Sequence, residues 1–477
     1  TVGAEERSGA LIGDQNEVWY VENYTGTLYI AVKLSSSMIA INPNMGAIGL
    51  VSLNDTENVI ASDKLIEVAQ QAETFVGDAE ANTIDVYQSY CGYATRTPNA
   101  RLVGGVNYFL NDSTYTADTL KAENFTISNV KDGKIVTLYT NIQNNLGAVD
   151  AQTMVDFYKV DGIGNTGNLE WHIFQISPNG AMETSTIEWL AMEHGQYTVA
   201  IPYFPVLTTD VYEGYQFGGE SATFTTEKPD SLYGAYPTTK RGVAGYLVLP
   251  EGWEKSYYWS FEILNDYVRY FVNEDGSPVV SDADKTYIKA KLNALQQEFY
   301  QDFVSMNTLQ ASKNARALAT ENGASMAKAA QKTAQELISY VQGSGTLTRA
   351  DAIYTLWLQE GSPKAKSAAM PFADVASGDY FYEAVLWAAE NGIVSGVDAK
   401  TFSPDAPCTR AQAAVIAYRT AKSPAADAEG YLDVADTSYY AQAASWAKSA
   451  GAVSGETFGP NAACTKTQLD AFLNAAA

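Results

Sequence analysis

Arg349, Arg410 and Lys466 occupy the same place in three related tetrads: Thr348-Arg-Ala-Asp351, Thr409-Arg-Ala-Gln412 and Thr465-Lys-Thr-Gln468. Each threonine precedes a run of helical period, where a hydroxyl accepts a bond from an otherwise unpaired N–H. The cation then stands at the positive end of a helix dipole, a place that favours anions. A guanidinium there offers a carboxylate a planar fork, whereas the ammonium of Lys466 is a point charge that cannot reproduce bidentate geometry. The expected chemistry is recognition of an anion by Arg349 and Arg410, with a degraded site at Lys466 and with Asp351, Gln412 and Gln468 as polar neighbours. The competing reading is that these side chains only cap helices and join internal hydrogen bonds.

Signals for catalysis are weaker. No zinc spacing, phosphate-cradling glycine loop, dinucleotide fingerprint or Gly-x-Ser-x-Gly elbow is present in the sequence. The two histidines, His172 and His194, fall in a strand pattern and beside a turn glycine. Glu183, Glu188 and Glu193 cluster around Trp189, and Glu170 precedes Trp171; an acid beside an indole suits a sugar subsite, and paired acids cleave glycosides. With 55 acidic residues in the chain, a solvated strand face is the stronger reading. Asn273-Glu-Asp-Gly276 and Asp282-Ala-Asp284 match no full calcium loop. The expectation is no catalytic residue, no metal and no cofactor.

The elements that carry the tetrads are a repeat. Phe372-Ala-Asp-Val375, Trp387, Gly392-Ile-Val-Ser-Gly396, Phe402-Ser-Pro404 and Cys408 recur as Tyr431-Leu-Asp-Val434, Trp446, Gly451-Ala-Val-Ser-Gly455, Phe458-Gly-Pro460 and Cys464. From Asp374 to Trp387 and from Asp433 to Trp446 is 13 residues in both copies. Apolar positions around each Trp have helical spacing, and Gly392 and Gly451 follow where a left-handed residue ends a helix. Leu347-Thr-Arg-Ala-Asp351 repeats only the closing helix. Units of this size cannot bury their apolar faces alone, so the copies must pack on one another with pseudo-threefold symmetry.

On these residues the last 130 or so positions resemble the surface-layer homology (SLH) domain of bacterial cell-envelope proteins. The resemblance implies a three-pronged α-helical spindle, a place at the bacterial cell surface or S-layer, and binding of pyruvylated or otherwise anionic cell-wall polysaccharide between prongs. It carries Arg349, Asp351, Trp387, Arg410, Gln412, Trp446 and Lys466 forward as candidate polysaccharide-binding residues, and it implies no chemistry. Lys466 departs from the family's arginine, and the family's glutamate is replaced by Asp351, Gln412 and Gln468.

The chain has 477 residues, a net charge of −25 and no run of about 18 apolar residues. Nucleic acid and anionic membrane surfaces would be repelled, and membrane insertion is not expected. A starting Thr1 with no leader before it suits a mature exported chain or a truncated one. Three cysteines make no disulfide scaffold; Cys408 and Cys464, at equivalent positions, either bond near the bundle axis or serve as small buried apolar residues, and Cys91 is expected in a strand.

Residues 1–275 read as one or two mainly antiparallel β domains, sandwich or jelly-roll-like, from hairpins at Val18–Leu34, Phe125–Tyr139 and Val155–Phe174. One short helix follows Ser62 or Asp63. Residues 281–343 read as a helical spacer with its hairpin turn at Asn322-Gly323, and 344–477 as the wall-anchoring part. The 31 tyrosines suit contact surfaces. The resulting expectation is an anchored structural protein whose β region self-assembles into a layer or filament as a homo-oligomer; the alternative is an anchored glycan-active enzyme or carbohydrate-binding protein.

Overall fold

The computed structural model describes residues 8–14, 16–24, 27–42, 45–92, 96–164, 169–177, 180–217, 221–231, 234–366, 369–426 and 430–477. The Thr25-Gly26 turn of the first expected hairpin and residues 165–168 of the expected Gly/Asn-rich loop lie outside them. The chain divides into two compact units: Thr1–Gln196 with Pro202–Thr209 and Val304–Thr320, and Tyr197–Ile201 with Asp210–Phe303 and Glu321–Ala477.

In the first unit, strands β1 (Ser8–Gly13), β2 (Val18–Tyr24) and β3 (Leu28–Leu34) run antiparallel in sequence order. Strand β4 (Leu50–Ser52) starts a second sheet, and β5 (Val59–Ala61) completes the first against β3. Helix α1 (Leu65–Gln71) follows, then β6 (Gly77–Asp78) and β7 (Thr83–Asp85), which join β4. Helices α2 (Val86–Tyr90) and α3 (Ala100–Leu110) come next. The hairpin of β8 (Ile127–Lys131) and β9 (Lys134–Thr140) turns at Asp132-Gly133, both at positive φ, 50° and 70°, as an Asp-Gly turn requires. After α4 (Ala151–Lys159), strands β10 (Glu170–Ile176) and β11 (Thr186–Met192) pair, with Trp171 and Ile173 buried and His172 and Phe174 outward.

The antiparallel, β-rich character is therefore present, but the strands are spread over small sheets of two to four members with helices between them. Two expectations need correction. Val155–Val160 alternates like a strand, yet lies largely in α4, because Asp150 accepts from the Thr153 N–H at 2.9 Å and Val155 and Ala151 share a buried face one turn apart. Cys91 is buried as expected, but it ends α2 instead of lying in a strand. Helix α3 contains Gly104-Gly105, ordinarily a breaker; a Cβ at Gly105 would lie 3.0 Å from Ile41 Cδ1, so the absent side chain admits the core. One core gathers Ile30, Val32, Ile48, Leu65 and Ile84, and a second Leu102, Phe109, Phe125 and Phe157 with Cys91.

Strand β12 (Ile201–Tyr203) lies at the division. In the second unit β13 (Thr223–Thr225), β14 (Ala235–Thr238) and β15 (Gly245–Val248) form one sheet with β15 central. Helix α5 (Tyr257–Arg269), capped by Ser256, replaces a stretch that reads as strand. Helix α6 (Asp282–Asp302) is capped by Ser281 and ends at Phe303. The short α7 (Met306–Ala311), capped by Ser305, belongs to the first unit, and α8 (Ala315–Val341) belongs to the second from Glu321 onward. The expected turn at Asn322-Gly323 is thus inside a helix, and the break comes earlier, where serines at 305 and 312 flank α7. Helices α9 (Arg349–Gln359), α10 (Tyr382–Glu390), α11 (Arg410–Thr420), α12 (Ala441–Ser449) and α13 (Lys466–Ala476) complete the unit. Gly392 and Gly451, at φ 67° and 73°, end α10 and α12 as their positions imply.

Candidate functional site

The three tetrads meet. Cys408 N–H donates to the Leu347 carbonyl at 2.8 Å, Cys464 N–H to Cys408 at 2.8 Å, and Leu347 N–H to Cys464 at 3.0 Å, closing a ring of three backbone bonds. The next residues repeat the pattern: Arg349 N–H reaches Ala406, Arg410 N–H reaches Ala462, and Lys466 N–H reaches Gly345, at 2.8–3.0 Å. Gly343 and Gly345, which follow α8, supply the carbonyls that Pro404, Ala406, Pro460 and Ala462 supply elsewhere. Both ring cysteines are free and fully buried, and burial pushes their thiols up to about 12. They serve as small apolar residues, as Leu347 does.

Each tetrad closes a capping box. Thr348, Thr409 and Thr465 accept from the N–H groups of Asp351, Gln412 and Gln468, whose side chains return to the threonine N–H groups at 3.0–3.2 Å. The repeat's aspartates are structural as well. Asp374 accepts from the Phe402 and Ser403 N–H groups, and Asp433 from those of Phe458 and Gly459, at 2.7–2.8 Å. These bonds hold the Phe-x-Pro loop beneath each arginine. Arg349 lies over Phe402 at 4.7 Å, Arg410 over Phe458 at 5.4 Å, and Lys466 over Tyr340 at 5.2 Å.

Beyond that backbone the three corners differ. Arg349 is 8% exposed, its Nε donating to the Phe402 carbonyl at 2.8 Å and its Nη2 to Ser395 at 3.1 Å. Beside it opens a crevice of about 320 Å³ whose polar lining includes Gln412, Arg419 and the 70%-exposed Tyr439. Arg419 donates to the Ile393 carbonyl at 3.3 Å. Two guanidiniums, a carboxamide and an open phenol ring can hold a carboxylate and stack on a sugar face. Among the described residues, the buried Nε of Arg410 has no hydrogen-bond partner. Lys466 is 7% exposed and ion-paired to Asp470 at 2.6 Å and Asp284 at 3.5 Å.

Among the remaining candidates, Asp351 is buried and engaged by the Tyr380 hydroxyl at 2.7 Å and Lys291 at 3.2 Å. Trp446 is buried near Tyr418, with ring centroids 5.8 Å apart, and Trp387 is half-buried on α10. Sequence reasoning misses Arg419 and Tyr439; a cation in the last turn of α11, one helical length from the tetrad, is the signal that could have found Arg419.

In the first unit, the carboxylate cluster resolves into His172 held between Glu188 at 2.7 Å and Glu170 at 3.7 Å on the open face of β10, with Phe174 stacked on the imidazole. A different acid is the more deeply placed: Glu22, fully buried on β2, accepts from the Ala47 N–H at 2.6 Å and from the hydroxyls of Tyr20 and Tyr24, while Asn42 donates to Tyr20. Among the described residues no group of His, Cys, Asp and Glu side chains is placed to hold a metal ion, and no helix is long and apolar enough to cross a membrane.

Comparison with known proteins finds matches to two family models. Residues 371–414 match the S-layer homology domain, so the C-terminal part carries that domain. Residues 1–233 match Peptidase family C69. The chain is 25% identical over 253 residues to "Probable dipeptidase B" of Streptococcus pyogenes serotype M1, covering 49% of this chain and 50% of that protein. It is 30% identical over 88 residues to "Probable dipeptidase" of Salmonella dublin, covering 18% and 20%, and 35% identical over 65 residues to "Probable dipeptidase" of Latilactobacillus sakei, covering 14% of each. The chain spans about half the length of the Streptococcus relatives it matches. The peptidase match overturns the expectation that the β-rich region is a self-assembling layer or filament, because a tyrosine-rich surface is a generic trait whereas a family match over 233 residues is not.

Proposed function

We propose that this chain is a peptidase of the cell surface: the region up to residue 233 cleaves short peptides, and the C-terminal part holds it on anionic cell-wall polysaccharide. The observation that carries the reading is the presence, in one chain, of the peptidase-family match and the S-layer homology match. It resembles the anchored-enzyme alternative, with peptides in place of glycans as the substrate class. Self-association has no part in it.

In this reading residues 344–477 are the anchor, a pseudo-threefold hub of α9, α11 and α13 around the ring of Leu347, Cys408 and Cys464. Residues 281–343 are more than a spacer, since the segment after α8, with Gly343 and Gly345, supplies the carbonyls that the opening half of a first repeat would supply. The Arg349–Arg419 crevice is the principal carboxylate site, Arg410 a second, and Lys466 a closed one. Asp351 acts by fixing the helix start, and Gln412 both caps α11 and faces the ligand.

The test has two arms. Incubated with unblocked dipeptides, the protein should release free amino acids; incubated with purified cell walls, it should sediment with them and remain in solution once the anionic polysaccharide has been extracted. Sedimentation without peptide hydrolysis would remove the enzymatic half, and hydrolysis with no polysaccharide-dependent sedimentation would remove the anchor.

A further inference from the structure

The three capping boxes differ in one side chain. Asp351 returns Oδ2 to the Thr348 N–H at 3.1 Å, the task that Gln412 and Gln468 perform with Oε1 at 3.0 and 3.2 Å. A carboxylate takes up a proton in acid and a carboxamide does not. Of the three boxes, only the one that starts α9 and precedes the Arg349 crevice can therefore change with pH.

The other oxygen of Asp351 is held from outside its own helix. Oδ1 accepts from the Tyr380 hydroxyl at 2.7 Å and from Lys291 Nζ, on α6, at 3.2 Å. Lys291 also lies over the Tyr380 ring at 5.6 Å, so the ammonium touches both partners. Tyr380 stands two residues before α10, at the entry to the prong whose Ile393, Ser395 and Phe402 line the crevice. One buried carboxylate thus joins α9, α6 and the prong that faces Arg349.

The other titratable groups turned toward Asp351 are neutral. Burial first, and then the Asp351 charge, push the Tyr287 hydroxyl of α6 well up, and burial does the same to the Cys408 thiol. Burial would push the Asp351 carboxyl up as well, but Lys291, Tyr380 and Thr348, in that order, outweigh it and hold it below 3.8. Protonation would leave the Lys291 ammonium without its counter-charge and give a donor to an oxygen pair that now only accepts.

We propose that Lys291 is a positioning residue for wall attachment: paired with Asp351, it holds Arg349 and the facing prong in register, and protonation of Asp351 in acid releases the chain from the wall. The proposal rests on the anchor reading given above.

The experiment sediments the full chain with purified cell walls from about pH 7 to about pH 3, with a wall-free control at each pH. Lys291→Gln should bind near neutrality and let go about one pH unit earlier than the wild type on acidification, because loss of a bonded opposite charge raises a carboxyl by that order. Lys291→Arg should restore the wild-type profile. Hydrogen exchange read by mass spectrometry gives a measure that needs neither variant to fold nor walls to bind: as the wild type is acidified, the first turn of α9 should lose protection before the first turns of α11 and α13. Equal profiles for the wild type and Lys291→Gln, a shift that Lys291→Arg fails to reverse, or an α9 start that loosens no earlier than the others overturns the proposal. A wild-type chain that sediments at no pH would instead remove the anchor reading, and this proposal with it.

Discussion

The corner at Arg349 and the corner at Lys466 are built on one backbone arrangement and reach opposite electrostatics. In each, the cation's N–H is tied to the carbonyl of a loop distant in sequence and its charged end lies over an aromatic ring. Arg349 spends its donors on the neutral carbonyls of Phe402 and Ser395, which orient the guanidinium without cancelling it, and Arg419 adds a second positive charge to the same crevice. Lys466 faces two carboxylates, Asp284 and Asp470, so one positive charge meets two negative ones. An anion entering there would meet like charges; at 4 Å each such pair costs about 4 kcal/mol near a protein surface. Position is fixed by the backbone ring, and the net charge of each corner by what the cation already holds.

The largest effect expected is at Arg349. Arg349→Ala removes a buried, bonded guanidinium and leaves two inward carbonyls without donors, which should lower unfolding free energy by about 2–4 kcal/mol in a urea titration and reduce retention on wall polysaccharide together with it. An unchanged denaturation midpoint would mean that the two carbonyl bonds do not hold the corner. Arg419→Ala sharpens the contrast, because Arg419 is only partly buried and its bond to the Ile393 carbonyl is long. It should weaken retention by about tenfold, equivalent to about 1.4 kcal/mol, with little change in stability. Loss of stability as large as that of Arg349→Ala would make Arg419 a structural residue instead of a ligand for polysaccharide.

These distinctions mark where sequence reasoning reaches its limit. Repeat spacing made the hub legible, since threonine caps, helix-ending glycines and the tetrads are local signals that survive without knowledge of distant partners. Asp284 was visible only as a residue beside a helix start, and its approach to Lys466 belongs to tertiary structure. In the first unit strands were legible where Asp-Gly marked the turn, as at β8 and β9. They were misread where α4 mimics alternation, although Asp150 is a residue type that favours the N-cap of a helix. The peptidase-family match was not legible from residue patterns at all, because the Streptococcus relatives share about a quarter of the aligned residues and no short motif stood out.

Two buried carboxylates beside lysines extend the comparison to pH. Burial pushes Asp266 up, its neighbour Glu262 pushes it further, and Lys240, bonded to both, does not compensate, so its pKa rises from 3.8 to about 7. Burial also disfavours the charged form of Asp351, but Lys291, the Tyr380 hydroxyl and the Thr348 N–H outweigh it and hold that carboxyl below its ordinary value. The signs are opposite. With a native pKa above the unfolded one, Asp266 contributes stability that is complete below 3.8 and is lost as pH rises to about 7, at a slope of up to about 1.4 kcal/mol per pH unit. Asp351 contributes stability present above the ordinary carboxylate range and lost as pH falls through its depressed pKa. Urea titrations across pH 4–7 should show Asp266→Asn removing a downward slope; a steeper slope in the variant would reverse the assignment.

The smallest expected effect is the one that tests the opening contrast most directly. Lys466→Met removes the charge that the family motif would use for ligand, yet retention on wall polysaccharide should not change, because that charge is already held by Asp284 and Asp470. Stability should fall by about 1–2 kcal/mol, since two neighbouring carboxylates lose their shared counter-ion while both keep some access to water. Asp470→Asn examines the same corner from the other side: with one carboxylate neutralised, the ammonium faces only Asp284, and retention should stay level or rise slightly. A fall in retention for Lys466→Met, with the Asp470→Asn variant unaltered, would show that this corner grips the polysaccharide despite its carboxylates, and the electrostatic distinction between the corners would fail.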